Sequence, residues 1–162
     1  MAIHTFVAGE AFTAAQANFI NTGADTGTYT PTLTGMAIGT GGTPLNTASF
    51  CYIGGVLVVE GNIQFGTSGQ TFPTAPTLTL PSGYTMTTFF SARPIGNATF
   101  NDSGSGGFAG RVFAATSSTV AFNAENAAGT HSSLVALSTT VPYTWASNDG
   151  IYYEFVVRAT AA

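Results

Sequence analysis

The stretch from Phe50 to Phe65, Phe-Cys-Tyr-Ile-Gly-Gly-Val-Leu-Val-Val-Glu-Gly-Asn-Ile-Gln-Phe, leaves the chain little choice of architecture. Gly54-Gly55 is a two-residue turn signal, because both central positions of the favoured hairpin turn need positive φ, which glycine adopts without steric cost. A tight turn there sets the register: Ile53 pairs with Val56, Tyr52 with Leu57, Cys51 with Val58 and Phe50 with Val59. One face of the hairpin then carries Phe50, Tyr52, Leu57, Val59, Ile63 and Phe65. The other carries Cys51, Ile53, Val56 and Val58 near the turn and becomes polar only from Glu60 onward, through Asn62 and Gln64. The second face is therefore expected to be covered near the turn, by another layer or another subunit.

A chain of 162 residues is long enough for a single domain with its own core. Only 6% of its residues are charged, against a usual share of about 25%. There is no lysine, and Thr, Ser and Asn carry the burden of solubility. Aromatic residues make up 12% of the chain and are spread along it, which argues against disorder. No apolar run approaches the roughly 18 residues of a membrane span, and the N-terminus lacks the basic start and apolar core of a signal peptide, so no membrane insertion is expected and the cytoplasm is the expected place of synthesis and assembly. Three arginines within a net charge of −4 leave nothing to neutralise phosphates, so nucleic acid is not an expected partner.

Taken in order, Ile3 to Phe12 reads as extended. Thr13-Ala14-Ala15-Gln16 then reads as a capping box that opens a short helix over Ala14 to Thr22, with Gly23 as its C-terminal stop. Ala24 to Tyr29 is linker-like, and Thr30 to Thr34 is an edge-type strand because Pro31 has no N–H for a ladder. Gly39 to Pro44 and Gly66 to Pro76 are loops. Thr77 to Pro81 alternates with Leu78 and Leu80 inward. Further strands are expected at Met86 to Ile95, Phe108 to Ala115, Thr119 to Ala124 and Ser133 to Leu137, with Asn101 to Gly107 a flexible tip. Asn148-Asp149-Gly150 is a second hairpin signal leading into Ile151 to Arg158. There Ile151, Tyr153, Phe155 and Val157 alternate with Tyr152, Glu154, Val156 and Arg158, the pattern of a central strand.

Many short strands with turn signals between them specify an all-β fold, an antiparallel β-sandwich of jelly-roll type with a short N-terminal helix. The division is an arm over residues 1–27 and a sandwich over 28–162. Outward Val56, Val58, Val156 and Tyr152 would leave apolar patches on a monomer, and an oligomer would bury them.

The opening Phe6-Val7-Ala8-Gly9-Glu10, then Thr13-Ala14-Ala15 and Asn18, then Thr28-Tyr29-Thr30-Pro31-Thr32-Leu33-Thr34-Gly35, resembles the start of small tail-fibre and minor tail proteins of actinobacterial tailed phages. Tyr52-Ile53-Gly54-Gly55-Val56, Gly61-Asn62-Ile63-Gln64-Phe65-Gly66 and Leu78-Thr79-Leu80-Pro81 are similar to the trimeric β-sandwich modules of phage fibres and decoration proteins. The resemblance covers roughly the first half of the chain. It implies a homotrimeric structural protein of the virion, in a tail fibre, a tail tip or, as the alternative, a capsid decoration. The N-terminal arm would dock on neighbouring virion proteins through Phe6, Phe12, Phe19 and Ile20, side chains too many for so short a segment to bury.

No catalytic constellation emerges from the residues. His131 with Ser132 or Ser133 and Asp149 supplies the types of a triad but no Gly-x-Ser-x-Gly elbow. His4, His131 and Cys51 are too scattered for zinc, the acidic residues do not cluster as a calcium loop requires, and no metal or cofactor is expected. Gly104 to Ala109 matches a dinucleotide fingerprint by letters without its strand-helix context. Glu60 and Glu154 would form an acid/base pair only if adjacent, and a solvated strand face is the plainer reading of both. For host-surface contact, with a surface glycan as a possible ligand, the candidates are Tyr143 and Trp145, whose rings suit the apolar faces of sugars, and Asn101 and Asp102 on the glycine-rich loop. For Trp145, burial in the core is the plainer reading and surface contact the alternative. A free carbohydrate-binding domain is the remaining reading.

Overall fold

The computed structural model describes residues 24–87, 93–126 and 132–161. The short helix at Ala14 to Thr22, the docking residues Phe6, Phe12, Phe19 and Ile20, and both histidines lie outside the described residues. Everything described is strand or loop, in the order β1 (Ala24–Tyr29), β2 (Leu33–Thr34), β3 (Leu45–Ile53), β4 (Val56–Gln64), β5 (Thr77–Thr79), β6 (Tyr84–Met86), β7 (Pro94–Asp102), β8 (Gly106–Ala114), β9 (Thr119–Asn126), β10 (Ser133–Ala136) and β11 (Gly150–Ala161).

The β3–β4 hairpin forms in the register that its turn dictates, with Ile53 opposite Val56, Tyr52 opposite Leu57, Cys51 opposite Val58 and Phe50 opposite Val59. Gly54 and Gly55 take φ of 57° and 82°, which is what the two-residue turn requires. Its inward face is the heart of the core, where Leu57, Val59, Ile63 and Phe65 are wholly buried. β11 is central, as its alternation predicts: it pairs with β4 on one side and with β7 and then β6 on the other. Ile151, Tyr153, Phe155, Val157 and Ala159 point inward, and Tyr152, Glu154, Val156 and Arg158 point out.

All pairings are antiparallel, and the main path runs β1-β3-β4-β11-β7-β8-β9-β5-β2, with β10 beside β9 and β6 beside the end of β11. The two ends of this path are joined in the chain by residues 30–32 alone. Laid flat, the path's eight inter-strand steps would separate β1 from β2 by about 38 Å. The chain from Tyr29 to Leu33 can reach at most about 14 Å. The sheet must therefore curl until its ends approach, and side chains close the seam. The Tyr29 hydroxyl donates to the carbonyl of Thr79 in β5 (3.3 Å), the Thr32 amide to the Thr79 hydroxyl (3.0 Å), and the Asn46 amide group to the carbonyl of Pro31 (2.8 Å). One apolar interior results, in which Phe100, Phe122, Phe155 and Trp145 join the hairpin residues.

Several local expectations are corrected. Ala24 to Tyr29 is no linker: all six residues pair with β3, from Ala24 opposite Ile53 to Tyr29 opposite Ala48, and the Tyr84 hydroxyl donates to the Asp25 carboxylate. The division at residue 27 thus falls inside β1. The Pro31 strand shrinks to Leu33–Thr34, because Thr30 to Thr32 are spent on the crossing between sheet ends. Met86 to Ile95 is not one strand; β6 ends at Met86 and β7 begins at Pro94. Asn101 to Gly107 is mostly ladder, leaving only Ser103 to Ser105 as a turn. Asn148-Asp149-Gly150 does not join a hairpin, since β10 pairs with β9 and not with β11.

Tyr84 and Tyr153 are 7% and 4% exposed, and burial holds both phenols well above their ordinary pKa of 10.0, helped at Tyr84 by the hydrogen bond to Asp25. In the unfolded chain both lose their protons near the ordinary value. Above that pH the unfolded state binds fewer protons than the native state, so stability falls as pH rises. We expect stability to hold to about pH 10 and then to drop by about 1.4 kcal/mol per pH unit for each of these tyrosines. Urea midpoints measured alongside tyrosinate absorbance test this. Burial raises Tyr29 and Tyr143 in the same direction, so Tyr153→Phe should flatten the slope by the share of one tyrosine among these, and a slope unchanged by that substitution would exclude Tyr153 as a source.

Candidate functional site

Two places gather polar or aromatic side chains that the core does not consume. The first is a groove of about 620 Å³ on the outer face. Register alone builds it. Residues facing outward in neighbouring strands line up in rows across the sheet, about 7 Å from one row to the next. One row runs Thr28, Ser49, Glu60, Glu154, Asn97, through β1, β3, β4, β11 and β7. The next runs Thr47, Asn62, Tyr152, Thr99. Between them lies the inward-pointing row Ala48, Gly61, Tyr153, Ala98, which offers only backbone to the outer face and so forms the floor. Gly61 is required there. A Cβ on it would run into the Tyr153 ring, which lies across it on the inner side.

Glu60 and Glu154, far apart in the chain, are direct cross-strand neighbours. Each accepts one hydrogen bond: Ser49 Oγ donates to Glu60 Oε1 (3.0 Å) and Asn97 Nδ2 to Glu154 Oε1 (3.1 Å). The network continues beyond the groove, where Arg111 donates to Asn97 Oδ1 and pairs with Glu125 at 2.7 Å. Asn62 Oδ1 is buried and without a hydrogen-bond partner, whereas the Tyr152 ring is 48% exposed. The two carboxylates are thus adjacent, and each is held by an uncharged side chain of its own row.

The second place is the pole where the β7–β8 turn meets the segment before β11. Asp149 organises it. Its side chain is wholly buried, with Oδ1 accepting from the Ser103 amide (2.9 Å) and Oδ2 from the Ala146 amide (2.6 Å). The backbone extends this clamp, as the Phe65 amide donates to the Asp149 carbonyl and the Asn148 amide to the Phe65 carbonyl. Asn148 adopts φ of 66°, a left-handed conformation that Asn tolerates better than most residues. With both oxygens engaged by backbone N–H groups, Asp149 serves as an internal cap for two loops.

The four proposed surface-contact residues do converge on this pole. Asn101 pairs with Gly107 and with Gly150, Asp102 Oδ1 accepts from the Gly104 amide, and the Tyr143 ring packs at a tilt between Phe108 (5.0 Å) and Trp145 (4.6 Å). Trp145 is 3% exposed, packed edge-on against Phe65 and Phe100, and its indole N–H is shared between the carbonyls of Ser138 and Val141. Its ring is core. Phe108, which sequence reasoning passed over, holds the exposed position at 36%. Gly104 to Ala109 turns into β8 with no helix behind it, so the dinucleotide match is a hairpin tip. Cys51 is half-buried on the outer face opposite Val58. Among the described residues no three of His, Cys, Asp and Glu come together as a metal site.

Asp149→Ala takes the acceptor from two part-buried backbone amides, those of Ser103 and Ala146, and should cost about 2 kcal/mol in urea denaturation, with Asp149→Asn, which keeps one acceptor, costing about half as much. An unchanged midpoint in the alanine variant would mean that the clamp contributes nothing.

Comparison with models of known protein families, with characterised proteins and with solved structures gives no match.

Proposed function

We propose that the protein is a structural component of a tailed-phage virion, a tail-fibre or tail-tip protein that assembles as a homotrimer and presents its β domain, with a sandwich-like core, toward the host surface. The observation that carries the oligomer is the apolar half of the outer face. Val58 and Val156 are register partners, 40% and 53% exposed, and Ile53 at 48% lies one row nearer the β3–β4 turn. Arg158, opposite Val56 in the Ile53 row, is the charged side chain on this half, too little to keep such a surface single. The virion context comes from the resemblance of the first half of the sequence to small phage tail proteins. Attachment is assigned to the segment before β1, through Phe6, Phe12, Phe19 and Ile20. A capsid decoration protein shares all these requirements and differs in copy number.

Sedimentation of the full chain should give three times its 16.5 kDa at micromolar concentration. Val58→Asp with Val156→Asp should yield monomer, because the pair places charge at the centre of the apolar row. A monomeric parent protein would sink the trimer. Removal of residues 2–23 spares β1 and should leave a folded domain that no longer co-sediments with particles; attachment undiminished by the cut would move the docking surface onto the sheet. Band intensity from purified particles, few copies or hundreds, separates tail from capsid.

A further inference from the structure

The geometry points to the outer-face groove as a binding site for a neutral oligosaccharide. This needs only the sheet as described and does not depend on the virion reading.

The shape fits an extended ligand. The groove crosses five strands, a distance of about 19 Å, and is open along its length. Its chemistry selects among ligands. Free acceptor capacity comes from the second oxygens of Glu60 and Glu154. Donors and acceptors together come from the hydroxyls of Thr28, Thr47 and Thr99 and the amide of Asn62. A metal ion or an amine would use only the acceptor side of this lining, the carboxylates and hydroxyl oxygens, and would leave the N–H donors of the Asn62 amide unmatched. A sugar hydroxyl both donates and accepts, so a row of them complements a mixed lining. Tyr152 supplies the exposed ring, on the wall of the groove, for the apolar face of a pyranose. Two adjacent carboxylates with no arginine among the lining residues repel uronate, sulfate and phosphate. The ligand is therefore uncharged. The site is distinct from the Tyr143 and Trp145 pole, where the tryptophan is sealed in the core, and it lies on the polar half of the outer face, beyond the Val58–Val156 row.

The test uses the full-length protein on an array of neutral hexose and N-acetylhexosamine oligomers, uronate-containing and sulfated oligosaccharides, and oligolysine, with calorimetry on whatever binds. Binding is expected to neutral oligomers and not to the acidic ones. Tyr152→Ala should weaken it by about tenfold or more while Tyr152→Phe retains it, because the ring and not the hydroxyl makes the contact. Glu60→Gln with Glu154→Gln, which preserves shape, should admit uronate-containing oligomers that the parent protein rejects. No neutral binding at millimolar concentration, or neutral binding untouched by Tyr152→Ala, overturns the assignment. A preference for oligolysine would also overturn it and identify the occupant as a basic peptide. Should Tyr152→Ala unfold, the glutamine pair still decides, since its readout is a change of specificity. A chain that binds glycans without attaching to particles, or the reverse, separates this site from the virion reading.

Discussion

Three residues, Thr30 to Thr32, tie the two ends of a nine-strand path together, and most of the molecule follows from that tether. A flat sheet cannot satisfy it. Curling brings β1 beside β5, lets Tyr29 and Thr32 reach Thr79, and encloses one interior that every inward row shares. Curling also needs close passages between strands, and glycines provide them. A Cβ at Gly96 would overlap the carbonyl oxygen of Glu154, and one at Gly110 would overlap the Phe100 ring. Gly96 sits where the β7–β8 register shifts, the kind of irregularity that bends a strand and raises its local twist.

The second constraint is the scarcity of charge. With so few ionic groups, the sheet cannot blunt its outer face with alternating Lys and Glu in the usual way. It uses hydroxyls and carboxamides instead, and where these give out, near the β3–β4 turn, valines and an isoleucine face outward. The outer surface is consequently divided, apolar toward the turn and polar from Glu60 onward. That division separates the surface assigned to self-association from the groove assigned to a ligand. Among the described residues the wholly buried carboxylate is Asp149; it goes to holding loops, and both its oxygens are engaged by backbone amides.

Legibility in the sequence tracked the distance over which a feature is decided. The central hairpin was readable to the residue because glycine φ and strand period are local, and β11 was readable because its alternation is uninterrupted. Ala24 to Tyr29 misled because Ala, Asp and Gly are poor strand formers and mask the favourable Thr and Tyr; six backbone pairings with β3 override that preference. Asn148-Asp149-Gly150 misled for the opposite reason. Its residues have turn chemistry, but the strand before it is held by β9, and the aspartate is drawn inward to cap a loop that precedes it by more than forty residues.

The sequence alone determined that the region from β1 onward is built of antiparallel strands, which face of the hairpin and of the last strand is core, and where the outer face turns from apolar to polar. These depend on side-chain period and turn chemistry within a few residues. Only the tertiary structure decided that Glu60 meets Glu154, that Asn62 and Tyr152 share a wall, that Trp145 is sealed and Phe108 exposed, and that the inward row through Gly61 leaves a groove floor. Each of those is a neighbour relation between strands far apart in the chain. Register and curl set such relations, and both are fixed by how the whole sheet closes.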